Sequence, residues 1–91
     1  MTTTLAPPNM KAFVSIAKWY PKDETGEFAS INSVYQKIEG TPQEVGRHTL
    51  SKALDGKLDR GHFDNLVKLA QLCSKWSSDR VTIDDLVVVE D

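Results

Sequence analysis

Ninety-one residues, 40% of them hydrophobic and 26% charged, make one globular domain with little to spare for a second. A net charge of −2 and a single cysteine, Cys73, do not announce a polyanion binder and rule out an internal disulfide. No apolar run approaches the roughly 20 residues that span a bilayer.

A chain of this length buries roughly 60–65% of the surface its unfolded form exposes, enough for one small core without staples. The opening "MTTTLAPPNM" has no basic region and no long apolar stretch, so it does not read as a secretory signal. A short frayed tail is expected over 1–8, and a lone cysteine among apolar residues fits a reducing, cytoplasmic setting. Charge is unevenly spread. Positions 31–69 hold six basic and five acidic residues, whereas 79–91 hold one basic and five acidic. A local basic cluster runs from Arg47 to Arg60, and the C-terminus is acidic.

The first periodic segment is "NMKAFVSIAKWYP". Met10, Phe13, Val14, Ala17 and Tyr20 recur at helical spacing, which predicts a first helix capped by Asn9 and stopped by Pro21. "KDETGEF" reads as a loop. In "SINSVYQKIEG", Ile31, Val34, Tyr35 and Ile38 predict a second helix, with Ser30 as its cap and Gly40 as its exit. Tyr35 is expected half-buried with its hydroxyl at the surface. Thr41-Pro42 is turn chemistry, or equally the opening of the next helix.

The third helix is expected over about 44–54. Val45, Leu50, Ala53 and Leu54 face inward, and Asp55-Gly56 ends it. "HFDNLVKLAQLCSKW" is the strongest helix, apolar over a wide arc, with Phe63 and Leu66 expected in the core. Trp19 and Trp76 read as core or dimer-contact residues. Thr82-x-x-Asp85 is a capping signature and predicts a short fifth helix over 83–87. "LVVVE" favours a strand by composition. With few other strand-like segments to pair it, it is expected to trail as an extended tail, acidic over 89–91.

Most chemistry-bearing patterns are missing. His48, His62 and Cys73 lack the close spacing of structural zinc ligands. Asp84-Asp85 reads as a capped helix start. The sequence carries no phosphate-cradling glycine loop, no nucleophile elbow and no His/Cys dyad spacing. Neither an enzyme nor a cofactor is expected.

Positions 33–87 resemble the phage-repressor-like (Cro-like, XRE-type) helix-turn-helix family. The likeness is carried by "SVYQKIEG", then "RHTLSKALDGKLDRGHFDNLVKLAQLC", then "TIDDLV". Within these, Arg47, Thr49, Leu50, Ser51, Asp55, Gly56, Lys57, Phe63, Asp64, Leu66, Lys68 and Leu69 occupy the pattern's positions. The "EGTPQEVG" connector is about two residues longer than in compact members, and "PKDETGEFAS" makes the preceding link long. The resemblance implies an all-α, compact five-helix bundle over 9–88, containing a lambda-repressor-like helix-turn-helix.

It also implies a sequence-specific DNA-binding transcriptional regulator of bacterial or phage type. The third helix would be the reading head, with Arg47, His48, Thr49, Ser51, Lys52, Lys57 and Arg60 as DNA-binding residues. The chemistry of the face agrees. A helix enters the major groove when its outer surface is small, polar and basic. Arg47 suits guanine or phosphate, Thr49 and Ser51 permit close approach, and Lys52, Lys57 and Arg60 suit flanking phosphates. Double-stranded DNA and a second copy of the chain are the expected partners, with "LVVVE" and Trp76 as candidates for the self-contact. No membrane is expected as partner. The alternative is an antitoxin-like or adaptor subunit that uses the same scaffold without reading DNA, with a protein partner on the C-terminal segment. A continuous basic face of Arg47, Lys52, Lys57 and Arg60 favours DNA, and its interruption by Glu44, Asp55 and Asp59 favours the adaptor.

Overall fold

The computed structural model describes residues 11–59 and 61–90. The expected tail over 1–8, the Asn9 cap, Met10, Arg60 and Asp91 lie outside the described residues. The elements in chain order are β1 (Lys11–Val14), α1 (Ile31–Ile38), α2 (Arg47–Leu54), α3 (Phe63–Ser77), α4 (Ile83–Leu86) and β2 (Val87–Glu90). β1 and β2 pair antiparallel, with Val14 opposite Val87 and Lys11 opposite Glu90. The described chain is therefore mixed α/β, with four helices and a two-stranded sheet, and not an all-α five-helix bundle.

The correction falls on the first and last segments, and it has one cause. The spacing of Phe13, Val14, Ala17 and Tyr20 fits a helix, but burial follows a period of two. Val14 and Ile16 are buried, while Phe13, Ser15 and Ala17 are half-buried. Three consecutive amides find partners far along the chain. Val14 donates to Leu58 O at 2.8 Å, Ser15 to Leu86 O at 2.9 Å and Ile16 to Ala53 O at 3.0 Å. Tertiary pairing satisfies the backbone that a helix would have satisfied locally. The helical spacing survives as one turn, in which Trp19 and Tyr20 both donate to Ile16 O at 3.0 Å. The same segment gives "VVVE" its strand partner, so the expected tail is a ladder strand, and α4 ends at Leu86.

The other helices follow their local signals. The Ser30 hydroxyl accepts from Ser33 N at 3.2 Å and opens α1. Gly40, at φ 80°, ends it. α2 closes with Gly56 at φ 71°. There Gly56 N donates to Ala53 O and Lys57 N to Lys52 O, the paired bonds of a left-handed C-terminal cap. At α4, the Asp85 carboxylate accepts from Thr82 N at 2.9 Å and from its hydroxyl at 3.1 Å.

Ile16, Leu50, Leu69, Leu86 and Cys73 are the fully buried centre, drawn from four separate segments, with Leu69 and Cys73 both on α3. Tyr20 is buried against Phe28 and Trp76 in two edge-to-face contacts, with ring centroids 5.7 and 5.6 Å apart. Phe63 is 69% exposed and so is not core, because the first turn of α3 runs past the buried body that begins at Leu69. Leu66 is half-buried against the core. No helix of the described residues is long and apolar enough to cross a membrane.

Candidate nucleic-acid interface

α1 and α2 are joined by residues 39–46, and α2 begins at Arg47, later than the expected 44. Gly46 is its N-cap in extended conformation and offers no side chain to the first-turn amides. What delays the helix is visible in Glu44. Its Oε1 accepts from Gly40 N at 3.0 Å and its Oε2 from the Tyr35 hydroxyl at 2.7 Å. The carboxylate thus ties the connector back onto the end of α1. The Gly40 amide, then the Tyr35 hydroxyl, hold the Glu44 carboxyl below its ordinary range. The same bond, with a smaller contribution from burial, pushes the Tyr35 phenol up.

A second tie fixes the connector to α3. Lys75 Nζ donates to Gln43 Oε1 at 2.9 Å, and Gln43 Nε2 to Gln71 Oε1 at 3.1 Å. Leu50 and Ala53 anchor α2 itself, both at 0% exposure, and Leu54 is half-buried beside them. A loose eight-residue connector is thereby held from both sides, and the outward face of α2 has a fixed setting.

On that face the expected residues fall unevenly. Arg47, His48 and Lys52 are exposed, whereas Thr49 and Ser51 are half-buried. At 100° per residue, His48, Ser51, Lys52 and Asp55 share the arc opposite Leu50. Lys57 is exposed just past the Gly56 cap. Arg60 lies outside the described residues, so its place in the cluster is not described.

Arg47 is the most organised of these side chains. Its guanidinium carbon sits 4.2 Å from the Tyr35 ring centroid, and Nε donates to Asn32 Oδ1 at 3.1 Å. Stacking and this single bond fix the guanidinium plane. They consume Nε and one face, while Nη1 and Nη2 carry the four remaining N–H donors in the fork that suits phosphate or guanine.

Tyr35, Asn32 and Glu44 were not among the expected site residues. The signal for Tyr35 and Asn32 was present in part, since residues three apart on α1 share a face. Nothing local shows that Arg47, twelve residues after Tyr35, folds back onto that face. Interruption of the basic surface by Glu44, Asp55 and Asp59 was the outcome that would favour the adaptor. The Glu44 charge is instead engaged by two hydrogen bonds within the turn. Asp55 does remain exposed on the α2 arc. Among the described residues no group of three or more His, Cys, Asp and Glu side chains is placed to hold a metal ion. No protein family, curated protein or solved structure matches this chain.

Proposed function

We propose that the chain is a DNA-binding transcriptional regulator that reads the duplex with α2, in the manner of the phage-repressor-like proteins that 33–87 resemble. One observation carries the reading. Arg47 is held on Tyr35 and Asn32 with its terminal nitrogens left over, at the start of a helix whose outer arc adds His48, Ser51 and Lys52. An arginine pre-set in this way loses less side-chain freedom when it meets a phosphate or a guanine edge.

Electrostatics support contact on this face despite the net charge of −2. Between Arg47 and Asp59 three cations, Arg47, Lys52 and Lys57, stand against two carboxylates, Asp55 and Asp59. The uncapped first turn of α2 adds amide donors and the positive end of the helix dipole. Lys52 and Lys57 suit phosphates, and Thr49 and Ser51, being short, let the helix approach closely. Such a protein acts on DNA in the cytoplasm, at the nucleoid, as a binding protein without catalytic chemistry.

The test is fluorescence anisotropy on duplexes selected from genomic fragments, with the parent chain and Arg47→Ala. Loss of a bidentate contact should cost about 1–3 kcal/mol on the selected duplex and relax preference at one base pair. Equal binding of parent and variant to every duplex would remove α2 as a reading head. Asp55 on the same arc then favours the adaptor reading, in which a protein replaces DNA as the partner.

A further inference from the structure

The pairing of β1 with β2 determines which backbone groups of β2 remain outside the ladder. Ser15 N donates to Leu86 O at 2.9 Å, so the Ser15–Leu86 pair is hydrogen-bonded, and in an antiparallel ladder bonded pairs alternate. Phe13–Val88 and Lys11–Glu90 are then bonded pairs, while Val14–Val87 and Ala12–Val89 are not. Val14 agrees, since its amide turns away from β2 to Leu58 O. Val87 and Val89 therefore direct their amides and carbonyls to the outer edge of β2. The Val87 amide is taken by Asp84 O. The Val87 carbonyl and both polar groups of Val89 stand at that edge, and no strand of the described residues pairs with it.

The side chains there are apolar and open. Val87, Val88 and Val89 are 40%, 46% and 56% exposed. An isolated two-stranded ribbon is marginal in water, and a bare valine edge is a template for a further strand. We propose that the strand is β2 of a second copy, running antiparallel about a two-fold axis at Val88, so that two chains share a four-stranded sheet ordered β1–β2–β2–β1.

This register is the one that matches both chemistries. Val88 faces Val88 of the second copy, and Val87 faces Val89. Each Val89 amide then meets the other copy's Val87 carbonyl, giving two symmetric bonds, while each Val89 carbonyl faces a Val87 amide already held by Asp84 O. Shifting the axis to Val89 would set Glu90 against Val88 and lose the apolar match. The other candidate occupant, the segment 1–10, contains Pro7-Pro8, which have no N–H to donate to a ladder. The area fits a weak dimer. Three valines and their backbone offer roughly 300–400 Å² per copy, below the ~1,200 Å² total of small stable interfaces. Such an interface makes association weak and concentration-dependent, and stronger when two copies are held close together. The proposal does not depend on DNA binding.

The test is sedimentation equilibrium of the full chain without DNA over a concentration series, with Val89→Lys and Val88→Cys. The parent should move from monomer to dimer as concentration rises, and Val89→Lys, an exposed change outside the core, should stay monomeric with an unchanged circular-dichroism spectrum. Val88→Cys should form a disulfide-linked dimer on mild oxidation, because opposed residues at a non-bonded pair lie about 4.5 Å apart at Cα, within the span a disulfide bridges. Cys73 will not compete, being fully buried with its thiol pushed up to about 12 by burial. A parent chain that is monomeric throughout, a dimer that persists in Val89→Lys, or a Val88→Cys chain that oxidises no faster than Val89→Cys would overturn the proposal. A monomeric parent with its Val89 amide protected from exchange would place 1–10 on the edge instead.

Discussion

Replacing Ile16 by alanine separates the observed extended course of the chain just past β1 from the helix that this segment resembles. In a helix carrying Phe13, Val14, Ala17 and Tyr20 on its buried stripe, Ile16 lies at the margin of that stripe beside Phe13 and Tyr20, and its truncation costs less than that of Phe13. In the structure Ile16 is 0% exposed, and its amide is bonded to Ala53 O at the end of α2. Its side chain is enclosed by a core drawn from several elements, which collapses poorly around a void. The loss should be about 2–5 kcal/mol, from transfer of the deleted groups plus the cavity they leave. A domain of this size loses about 4–8 °C of Tm per kcal/mol, so a cost of 3 kcal/mol lowers Tm by roughly 12–24 °C. Phe13, half-buried, should cost about 1–2 kcal/mol when truncated. Urea unfolding followed by far-UV circular dichroism measures both, with the parent's m-value expected in each variant. An Ile16→Ala chain within about 0.5 kcal/mol of the parent, or one more stable than Phe13→Ala, would refute this placement of Ile16.

Three further outcomes are expected. Tyr20→Phe should be neutral or stabilise by up to about 1 kcal/mol in the same urea assay, since the buried Tyr20 hydroxyl has no hydrogen-bond partner among the described residues; a clear loss of stability would mean that the hydroxyl is satisfied. Gly56→Ala should lose about 1 kcal/mol through its φ of 71° alone, because the added Cβ would meet Ser15 atoms at an ordinary 3.7 Å. Stability should also fall on acidification. Glu44, Asp23 and Asp85 have folded pKa values below their ordinary 4.5, 3.8 and 3.8, so their contribution is present above those values and is lost as pH drops through the folded ones. Glu44→Gln should flatten the Glu44 part of that acid limb in a pH series of urea midpoints, and an unchanged limb would count against the Tyr35–Glu44–Gly40 tie.

The parts of the fold that were legible in the chain are those whose signals are local. Ser30, Gly40, Gly56 and the Thr82–Asp85 pair act within four residues, and each ends or starts a helix where its chemistry requires. β1 was not legible, because a five-residue apolar pattern fits either period and its ladder partner lies more than seventy residues away. Phe63 shows the complementary limit. Periodicity places it on the apolar side of α3, but only the tertiary arrangement shows that no described residue buries that side at that end. For the candidate site, the resemblance and the polar, basic character of the face pointed to Arg47, His48, Thr49, Ser51, Lys52, Lys57 and Arg60. The Tyr35–Asn32 cradle that sets Arg47 required knowing how the connector folds, and Glu44 took part in that fold instead of standing against the basic face.

The most direct measurement of the central claim is the salt dependence of duplex binding. If Arg47, Lys52 and Lys57 each neutralise a phosphate, log K should fall against log salt with a slope of roughly −2 to −3 per copy. Lys57→Ala should reduce that magnitude by about 1 on selected and scrambled duplexes alike, while Arg47→Ala should also erase part of the difference between them. Binding that is undetectable at low salt, or a slope that Arg47→Ala, Lys52→Ala and Lys57→Ala together leave unchanged, would contradict the assignment of α2 to DNA.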